Sequence, residues 1–163
     1  MFLTKDDFST AVNLLPLISI DFCLLDNDNK LLLVKRNCRP AKGYLFSPGG
    51  RVRKNEKFSI AMKRISKDEF GVPLGEKDGL IRMGIWDHFY EDSAFDENIS
   101  THYVNIPYFI KLNEDIQNLI KIKFGDGFQH DSFEWINIKE CLNHENIHKY
   151  SKEYAKYVYN NFI

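Results

Sequence analysis

The stretch from Gly49 to Val72 constrains the fold more than any other part of the chain. Its pattern predicts a glycine turn, a short strand and a helix. Helical neighbours lie three and four residues apart, so positions 65, 68 and 69 share a face, and Asp68 and Glu69 are the acidic members of that trio. Together with backbone oxygens of the glycine turn, carboxylates form an all-oxygen set that suits a hard cation such as Mg²⁺.

The predicted helix has recognisable ends. Asn55 is placed to cap its N-terminus, Glu56 would lie in its first turn, and Gly71 can end it in the left-handed conformation that glycine tolerates. Arg64 follows Glu56 by a little over two helical turns. We therefore expect these two side chains to approach each other along one side of the helix.

The spacing of these residues resembles the Nudix box, the signature of a superfamily of hydrolases. The residues that match it at the required spacing are Gly50, Glu56, Arg64, Glu69, Gly71 and Val72, with Asp68 a conservative replacement. Two positions depart, since Ile65 stands where a glutamate is expected and Ser66 where an apolar residue is expected. The alternative is an ordinary amphipathic helix with a solvated charged face. The spacing to the glycine turn and to Gly71 argues against that alternative.

Composition and charge set broad limits. With 163 residues, 44% hydrophobic and 28% charged, the chain is typical of a soluble globular protein, and we expect a single domain over residues 1–163. A net charge of -1 gives no global reason to expect nucleic acid or a membrane surface as a partner. The 3 cysteines lack metal-ligand spacing, which favours a reducing cytoplasm. No signal peptide or membrane-spanning run is apparent.

The rest of the chain predicts strands around the box helix and helices at both ends. The predicted elements are a helix from Thr4 to about Leu14, a hairpin of residues 17–25 and 31–36, meander strands at 80–89 and 102–112, a short helix within 113–123, a strand at 132–136, and helices at 137–142 and 146–162. This order predicts an α+β fold. It is also the Nudix fold, with a mixed β-sheet sandwiched between helices.

Two further features point to a phosphate-rich ligand or its pocket. Asp21 interrupts an apolar strand, so it is either a satisfied structural carboxylate or a ligand group at a pocket wall, and the sequence leaves both open. A basic loop that starts at Lys35 and Arg36 precedes the glycine turn, and arginine binds phosphate in a bidentate manner. For any single lysine there, a solvated loop is the plainer interpretation.

Beyond the box, the chain resembles the GDP-mannose mannosyl hydrolase branch of the Nudix superfamily, which breaks the sugar C1–O bond. The segments that carry this resemblance are residues 1–3, 7–8, 16–22, 35–36, 39–41, 43–44, 48–52, 86, 88–90, 101–104 and 129–131. That branch also lacks the glutamate that Ile65 replaces. Two features depart from it: residues 113–128 form a longer segment than the branch pattern, and Asp68 adds a carboxylate that can bind a second cation.

The resemblance implies roles for named residues. The implied Mg²⁺ ligands, for which Mn²⁺ can substitute, are Gly49, Glu69 and Gln129. The implied catalytic residues are His130 as the base, Arg36, Asp21 and Tyr103. The implied substrate-binding residues are Arg51, Arg64, His88, Tyr90, Phe2, Leu3 and Phe8. It further implies inverting hydrolysis of GDP-mannose, and also of GDP-glucose, and a homodimer in which Phe2, Leu3 and Phe8 pack on a second subunit.

Two other functions stay open on the sequence. One is a Nudix pyrophosphatase that cuts the phosphoanhydride of a GDP-sugar to GMP and sugar 1-phosphate, which Asp68 favours and Ile65 disfavours. The other is a non-catalytic nucleotide-sugar sensor that has kept the pocket. The combination of Arg64, Glu69 and His130 argues against a sensor.

Overall fold

A computed structural model of the chain describes residues 3–124 and 129–163. Its helices are α1 (Lys5–Leu14), α2 (Phe58–Phe70), α3 (Glu114–Leu119), α4 (Ile138–Cys141) and α5 (Lys149–Phe162), with a 3-10 turn at Glu76–Asp78. Its strands are β1 (Leu17–Leu25), β2 (Lys30–Arg36), β3 (Leu45–Phe46), β4 (Gly49–Arg51), β5 (Ile81–Arg82), β6 (Trp86–Tyr90), β7 (Thr101–Asn105), β8 (Tyr108–Lys111) and β9 (His130–Asn137).

Strand β1 is the centre of the sheet and changes partners along its length. Its first half pairs with β4 antiparallel and with β7 parallel, whereas its second half pairs with β8 parallel and with β2 antiparallel. Strand β6 extends one side through β7, and β3 and β9 extend the other through β2. The partners change beside Asp21, and a change of partners in a sheet opens a gap where a site can form.

Alternation along β1 sends its side chains to two cores. Ile20, Phe22 and Leu24 pack with the apolar face of α2. Cys23 and Leu25 pack on the opposite face with α5. Residues two apart on a strand share a face, so Asp21 lies on the α5 side. The sheet is mixed and lies between α2 and α5, which confirms the predicted α+β architecture.

Most of the helix predictions agree with the structure. Helix α1 is capped by Thr4, whose Oγ1 accepts from the Asp7 N–H, and the hairpin of β1 and β2 is present. Gly71 ends α2 with φ 82°, in the left-handed region. Helices α4 and α5 occupy the two helical segments predicted at the end of the sequence.

The prediction of one continuous strand at 80–89 and another at 102–112 is wrong, because each segment contains two strands. The first is broken at Gly84, where φ is 113°, and the second at Pro107, which has no N–H to donate to a ladder. As a result β5 pairs with β8 and β6 pairs with β7, while β7 and β8 both run parallel to β1. The region is therefore a pair of split hairpins, and the predicted simple meander is also wrong.

The predicted start of the box helix is wrong as well. Helix α2 begins at Phe58 after Lys57, and Glu56 lies before the helix. Asn55 adopts φ 63° in the preceding turn, a conformation that asparagine tolerates better than most residues. The turn is closed by Glu56, whose Oε2 accepts from the Arg53 N–H at 2.9 Å.

Ser66, one of the two departures from the box pattern, has a structural role. The side chain is buried, and its Oγ accepts from the Leu74 N–H at 2.8 Å. A buried backbone N–H without a partner is costly, and an apolar residue at position 66 would leave this one unpaired. The chain that follows α2 is thus attached to the helix by a hydroxyl.

Among the described residues, no helix is both long and apolar enough to cross a membrane.

Candidate active site

The glycine turn touches Asp21 directly. A Cβ added to Gly49 would lie 2.1 Å from Asp21 Oδ1 and 2.5 Å from the Ile20 carbonyl oxygen. Real Cβ atoms do not approach other atoms this closely, so only glycine fits between β1 and β4 at this point. The close approach brings the turn and the Asp21 carboxylate into one site.

The Gly49 carbonyl is oriented away from β1. Phe22 N donates to Pro48 O at 2.8 Å and Val52 N donates to Ile18 O at 2.9 Å. Bonded and non-bonded pairs alternate in an antiparallel ladder, so Asp21 and Gly49 form a non-bonded pair whose backbone groups point outward. Such a carbonyl oxygen suits a hard cation, as do the Glu69 carboxylate and the exposed Gln129 amide.

The side chains at positions 65, 68 and 69, which share one face of α2, lie in three different environments. Ile65 is 1% exposed and belongs to the core between α2 and β1. Asp68 points outward, and its side chain is 59% exposed with Oδ2 3.7 Å from Arg64 Nη1. Glu69 is the member that faces inward, with a side chain that is 14% exposed. One carboxylate of this face is therefore available to the site.

His130 contacts that carboxylate. Its Nε2 lies 2.8 Å from Glu69 Oε2, and its ring is buried. Within residues 3–124 and 129–163, its Nδ1 is the one buried side-chain nitrogen or oxygen with no hydrogen-bond partner. The prediction that His130 lies in a loop is wrong, because it begins β9 and pairs with Arg36 of β2. The strand holds the ring beside Glu69.

Asp21 is a buried carboxyl group with an altered acidity. Burial raises its pKa to about 7, opposed by the hydrogen bond from Tyr154 and the positive charge of Arg36. The negative charge of Glu69 raises it further. The charges of Arg36 and Glu69 thus both act on the Asp21 carboxyl. The interpretation of Asp21 as a satisfied structural carboxylate is confirmed, because Tyr154 donates to it, and a role as a ligand group stays a prediction.

The basic residues around Asp21 are held in defined positions. Arg36 Nε donates to the Pro40 carbonyl at 2.9 Å, and its charge lowers the pKa of the half-buried Tyr103 against the larger effect of burial. Burial lowers the pKa of Arg51, and Tyr103 opposes this effect. The charges of both predicted arginines therefore act on Tyr103.

The N-terminal residues are only partly as predicted. Phe8 is buried in its own chain, beneath the Arg51 guanidinium, whose Cζ lies 4.1 Å from the ring centroid. The expectation that Phe8 is exposed for a second subunit is therefore wrong, whereas Leu3 is 48% exposed. Phe2 lies outside the described residues. The homodimer stays a prediction.

Arg64 is engaged within the protein. It donates from Nε to Glu56 Oε1 at 2.7 Å and from Nη2 to Glu56 Oε2 and to the Arg51 carbonyl, each at 2.9 Å. The approach of Arg64 to Glu56 that the spacing predicts is confirmed. A bidentate pair of this kind fixes the turn at Glu56, and the bond to the Arg51 carbonyl joins Arg64 to the end of β4. A direct contact of Arg64 with substrate stays a prediction.

This ion pair leads to a prediction about acid stability. The hydrogen bond from Arg64 lowers the pKa of Glu56 from 4.5 to about 2. A depressed pKa stabilises the folded state above the unfolded value, and the stabilisation is lost as the pH falls from about 4.5 towards 2. The free energy of unfolding of Glu56→Gln should therefore lie below that of the wild type at neutral pH, with a gap that narrows below pH about 4.5.

Urea unfolding of both proteins between pH 3 and pH 7 measures this gap. Glu76→Gln is the matched control, because Glu76 is an exposed glutamate in a short turn. A gap that stays constant over this pH range would contradict the assignment.

A cluster of rings forms the other side of the site. His88 is buried and stacks on Tyr150 at 3.7 Å with an interplanar angle of 8°. Burial lowers the pKa of His88 to about 3, so the imidazole is neutral. Tyr90 stacks on His148, and burial likewise lowers the pKa of His148 to about 4. The predicted residues His88 and Tyr90 therefore lie together, on β6.

The sequence interpretation missed four residues of this cluster. They are Asn105, His148, Tyr150 and Tyr154. Tyr150 and Tyr154 look like members of an apolar helix stripe, and nothing in the sequence marks their hydroxyls as polar contacts. The one general indication is that the O–H of a buried tyrosine needs a hydrogen-bond partner, and it does not say which residue that partner is.

Comparison with known proteins identifies the family. The model of the NUDIX domain family matches residues 16–158. The chain belongs to the NUDIX family. The low-salt glycan biosynthesis protein Agl8 of Haloferax volcanii is 33% identical over 110 residues, which are 68% of each chain. The name of that relative refers to the biosynthesis of glycans.

Solved structures of NUDIX proteins show the same fold. A MutT NUDIX hydrolase from Burkholderia pseudomallei superimposes with a TM-score of 0.68 at 19% identity, covering 88% of this chain and 98% of that one. The NUDIX domain of NrtR from Shewanella oneidensis, solved with ADP ribose, has a TM-score of 0.68 at 14% identity and covers 99% and 100%. At these identities the likeness concerns the fold.

Proposed function

We propose that this chain is a Mg²⁺-dependent hydrolase of GDP-mannose, with GDP-glucose as a further substrate, that releases GDP and the free sugar by inverting attack of water at the sugar C1. One observation carries the proposal. Position 65, where the Nudix box has a glutamate, is an isoleucine packed in the core, so Glu69 is the one carboxylate of the box face that points into the site. Attack at phosphorus in ordinary Nudix enzymes uses several carboxylates and more than one cation.

The donor set fits one hard cation. The Gly49 carbonyl, the Glu69 carboxylate and the Gln129 amide supply oxygen, which Mg²⁺ prefers and Mn²⁺ also accepts. When bound, the cation would neutralise charge on the diphosphate of the departing GDP. Asp68 is turned outward and pairs with Arg64, so it adds little to this set.

His130 is the proposed base. If Nε2 donates to Glu69, the other nitrogen, Nδ1, carries the lone pair, which the structure leaves without a partner. Nδ1 is buried in the protein without substrate, so the proposal requires a water molecule to be held against it in the substrate complex. Nδ1 would take a proton from that water as the water oxygen bonds to C1. The C1–O bond breaks at the same time, and its electron pair stays on the β-phosphate oxygen of GDP.

Arg36, Arg51 and Tyr103 are the proposed donors to the leaving group. Burial raises the pKa of Tyr103, and the charges of Arg51 and Arg36 oppose this effect, which supports assigning the three groups to one part of the site. Charge that develops on the β-phosphate is stabilised best by donors fixed in advance, and Arg36 is fixed by the Pro40 carbonyl. Asp21 and His88 would hold sugar hydroxyls on the other side.

The relative from Haloferax gives further support. Its name refers to glycan biosynthesis, which agrees with a nucleotide sugar as the substrate. The cytoplasm, where such donors are made, is the proposed location.

Hydrolysis of GDP-mannose with Mg²⁺ in ¹⁸O-labelled water tests the proposal. We expect the label in free mannose, with unlabelled GDP, because water attacks carbon. Label in GMP or in mannose 1-phosphate would show attack at phosphorus and overturn the proposal in favour of a pyrophosphatase. Absence of turnover with GDP-mannose and GDP-glucose would favour a sensor.

A further inference from the structure

Helix α5 holds His88 with two tyrosines. Tyr150 and Tyr154 are four residues apart and so lie on one face of the helix. The Tyr150 ring stacks on the imidazole, and Tyr154 Oη lies 2.9 Å from His88 Nε2. The ring of His88 is therefore fixed both in its plane and at one nitrogen.

The Tyr154 hydroxyl has three polar neighbours from three different strands. Besides His88 on β6, these are Asp21 Oδ2 on β1 at 3.0 Å and Asn105 Oδ1 on β7 at 2.9 Å. All four residues are buried. A phenol oxygen can accept two hydrogen bonds but has a single proton to donate.

Counting protons assigns the direction of the bond to His88. Asn105 Nδ2 donates to Ser19 Oγ at 2.7 Å, so the Asn105 oxygen faces Tyr154 as an acceptor. The Asp21 carboxyl oxygen is a second acceptor for the same phenol proton. Above the Asp21 pKa of about 7 this carboxyl is ionised and can only accept, so the single proton goes to an oxygen. The contact with His88 is then a hydrogen bond only when Nε2 carries the hydrogen and donates to Tyr154.

The other ring nitrogen is then an acceptor. The imidazole is neutral because burial opposes its charge, and a neutral ring with hydrogen on Nε2 has a lone pair on Nδ1. In the described part of the chain, Nδ1 of His88 has no hydrogen-bond partner, yet it is not among the fully buried unpaired atoms. This nitrogen is therefore not fully enclosed, although the His88 side chain as a whole is only 1% exposed.

We propose that Tyr154 is a positioning residue that fixes His88 in the Nε2–H tautomer, so that Nδ1 accepts a hydrogen bond from a hydroxyl of the bound nucleotide sugar. The identity of the ligand rests on the proposed function, whereas the tautomer does not. An acceptor at this point selects for a substrate O–H and against a sugar that lacks that hydroxyl.

The tautomer can be read directly in the protein without substrate. Long-range ¹H–¹⁵N correlation spectra of the ¹⁵N-histidine-labelled chain distinguish the two neutral forms, and His88→Asn assigns the signals. We expect the Nε2–H form in the wild type and a mixture that includes the Nδ1–H form in Tyr154→Phe. Tyr150→Phe is the matched control, because it removes another α5 hydroxyl, which bonds to the Phe89 backbone, and keeps the stack.

Two results would overturn the proposal. They are an Nδ1–H form of His88 in the wild type, and an unchanged Nε2–H form in a folded Tyr154→Phe protein. Neither depends on turnover, so they are separate from a failure of the proposed function.

If the enzyme turns over GDP-mannose, a second measurement tests the hydroxyl. In the wild type, kcat/KM for one GDP-deoxymannose of a positional series should fall about tenfold, and Tyr154→Phe should remove that difference. Equal discrimination by both proteins across the whole series would contradict the contact.

Discussion

Replacing His130 with glutamine should lower kcat for GDP-mannose by a factor of about 10² to 10⁴, the range that a positioned general base contributes. Glutamine can still donate a hydrogen bond to Glu69, but it has no nitrogen lone pair to take a proton from water. KM should change much less, because the side chain acts on water and not on the nucleotide. Steady-state kinetics with Mg²⁺ measures both constants.

His102→Gln is the matched control. His102 also pairs with a carboxylate, through Nε2 at 3.0 Å from Asp87 Oδ1, but this pair lies at the protein surface. A kcat near that of the wild type in folded His130→Gln would contradict the role of this histidine as base. Equal losses in both variants would point to a general effect on the fold.

Gly49→Ala should lower the free energy of unfolding by about 3 kcal/mol and also abolish turnover. The new methyl group would meet Asp21 Oδ1, the Ile20 carbonyl and Asp21 Cα, at 2.1, 2.5 and 2.9 Å. Two of these are backbone atoms that cannot rotate away, so β1 and β4 would have to separate. Separation would also displace the Gly49 carbonyl, the proposed cation ligand.

Gly50→Ala is the control for this change. Its methyl group would first meet Ile65 Cγ2, a side-chain atom, at 3.2 Å. We expect a loss of no more than about 1 kcal/mol in urea unfolding. If Gly49→Ala were no less stable than Gly50→Ala, the close approach of Asp21 to Gly49 would be wrong.

What the sequence predicts well is local. Gly71 ends its helix as expected, because the left-handed conformation is a property of a single residue. The contact of Glu56 with Arg64 is present as expected, but Glu56 lies before the helix, so the turn at Arg53 brings it to Arg64 and helical spacing does not. The prediction that Asn55 caps the helix is wrong, because the residue lies in the preceding turn with a positive φ. Asparagine is common both at N-caps and at positive φ, and the sequence does not choose between the two.

What the sequence does not predict depends on which elements meet. The sequence does not show whether Asp21 has a structural partner, because the residue that donates to it, Tyr154, lies 133 residues later in the chain. Tyr154 itself fits an apolar helix stripe, and its polar contacts exist only because three strands bring Asp21, His88 and Asn105 to its hydroxyl. The contact of His130 with Glu69 likewise joins residues 61 apart. Contacts between residues so far apart in the chain can be identified only from the three-dimensional arrangement of the helices and strands.

The change of partners along β1 has a consequence for folding kinetics. Leu17 pairs with Tyr103 and Leu25 pairs with Lys111, so the central strand completes its parallel ladders only after long loops have closed. Topologies rich in such distant pairings fold slowly, on the scale of milliseconds to seconds. Because Asp21 lies where these ladders meet, no partly folded state that lacks them can contain the assembled site. Recovery of activity after dilution from denaturant should therefore report the last step of refolding and not an early collapse.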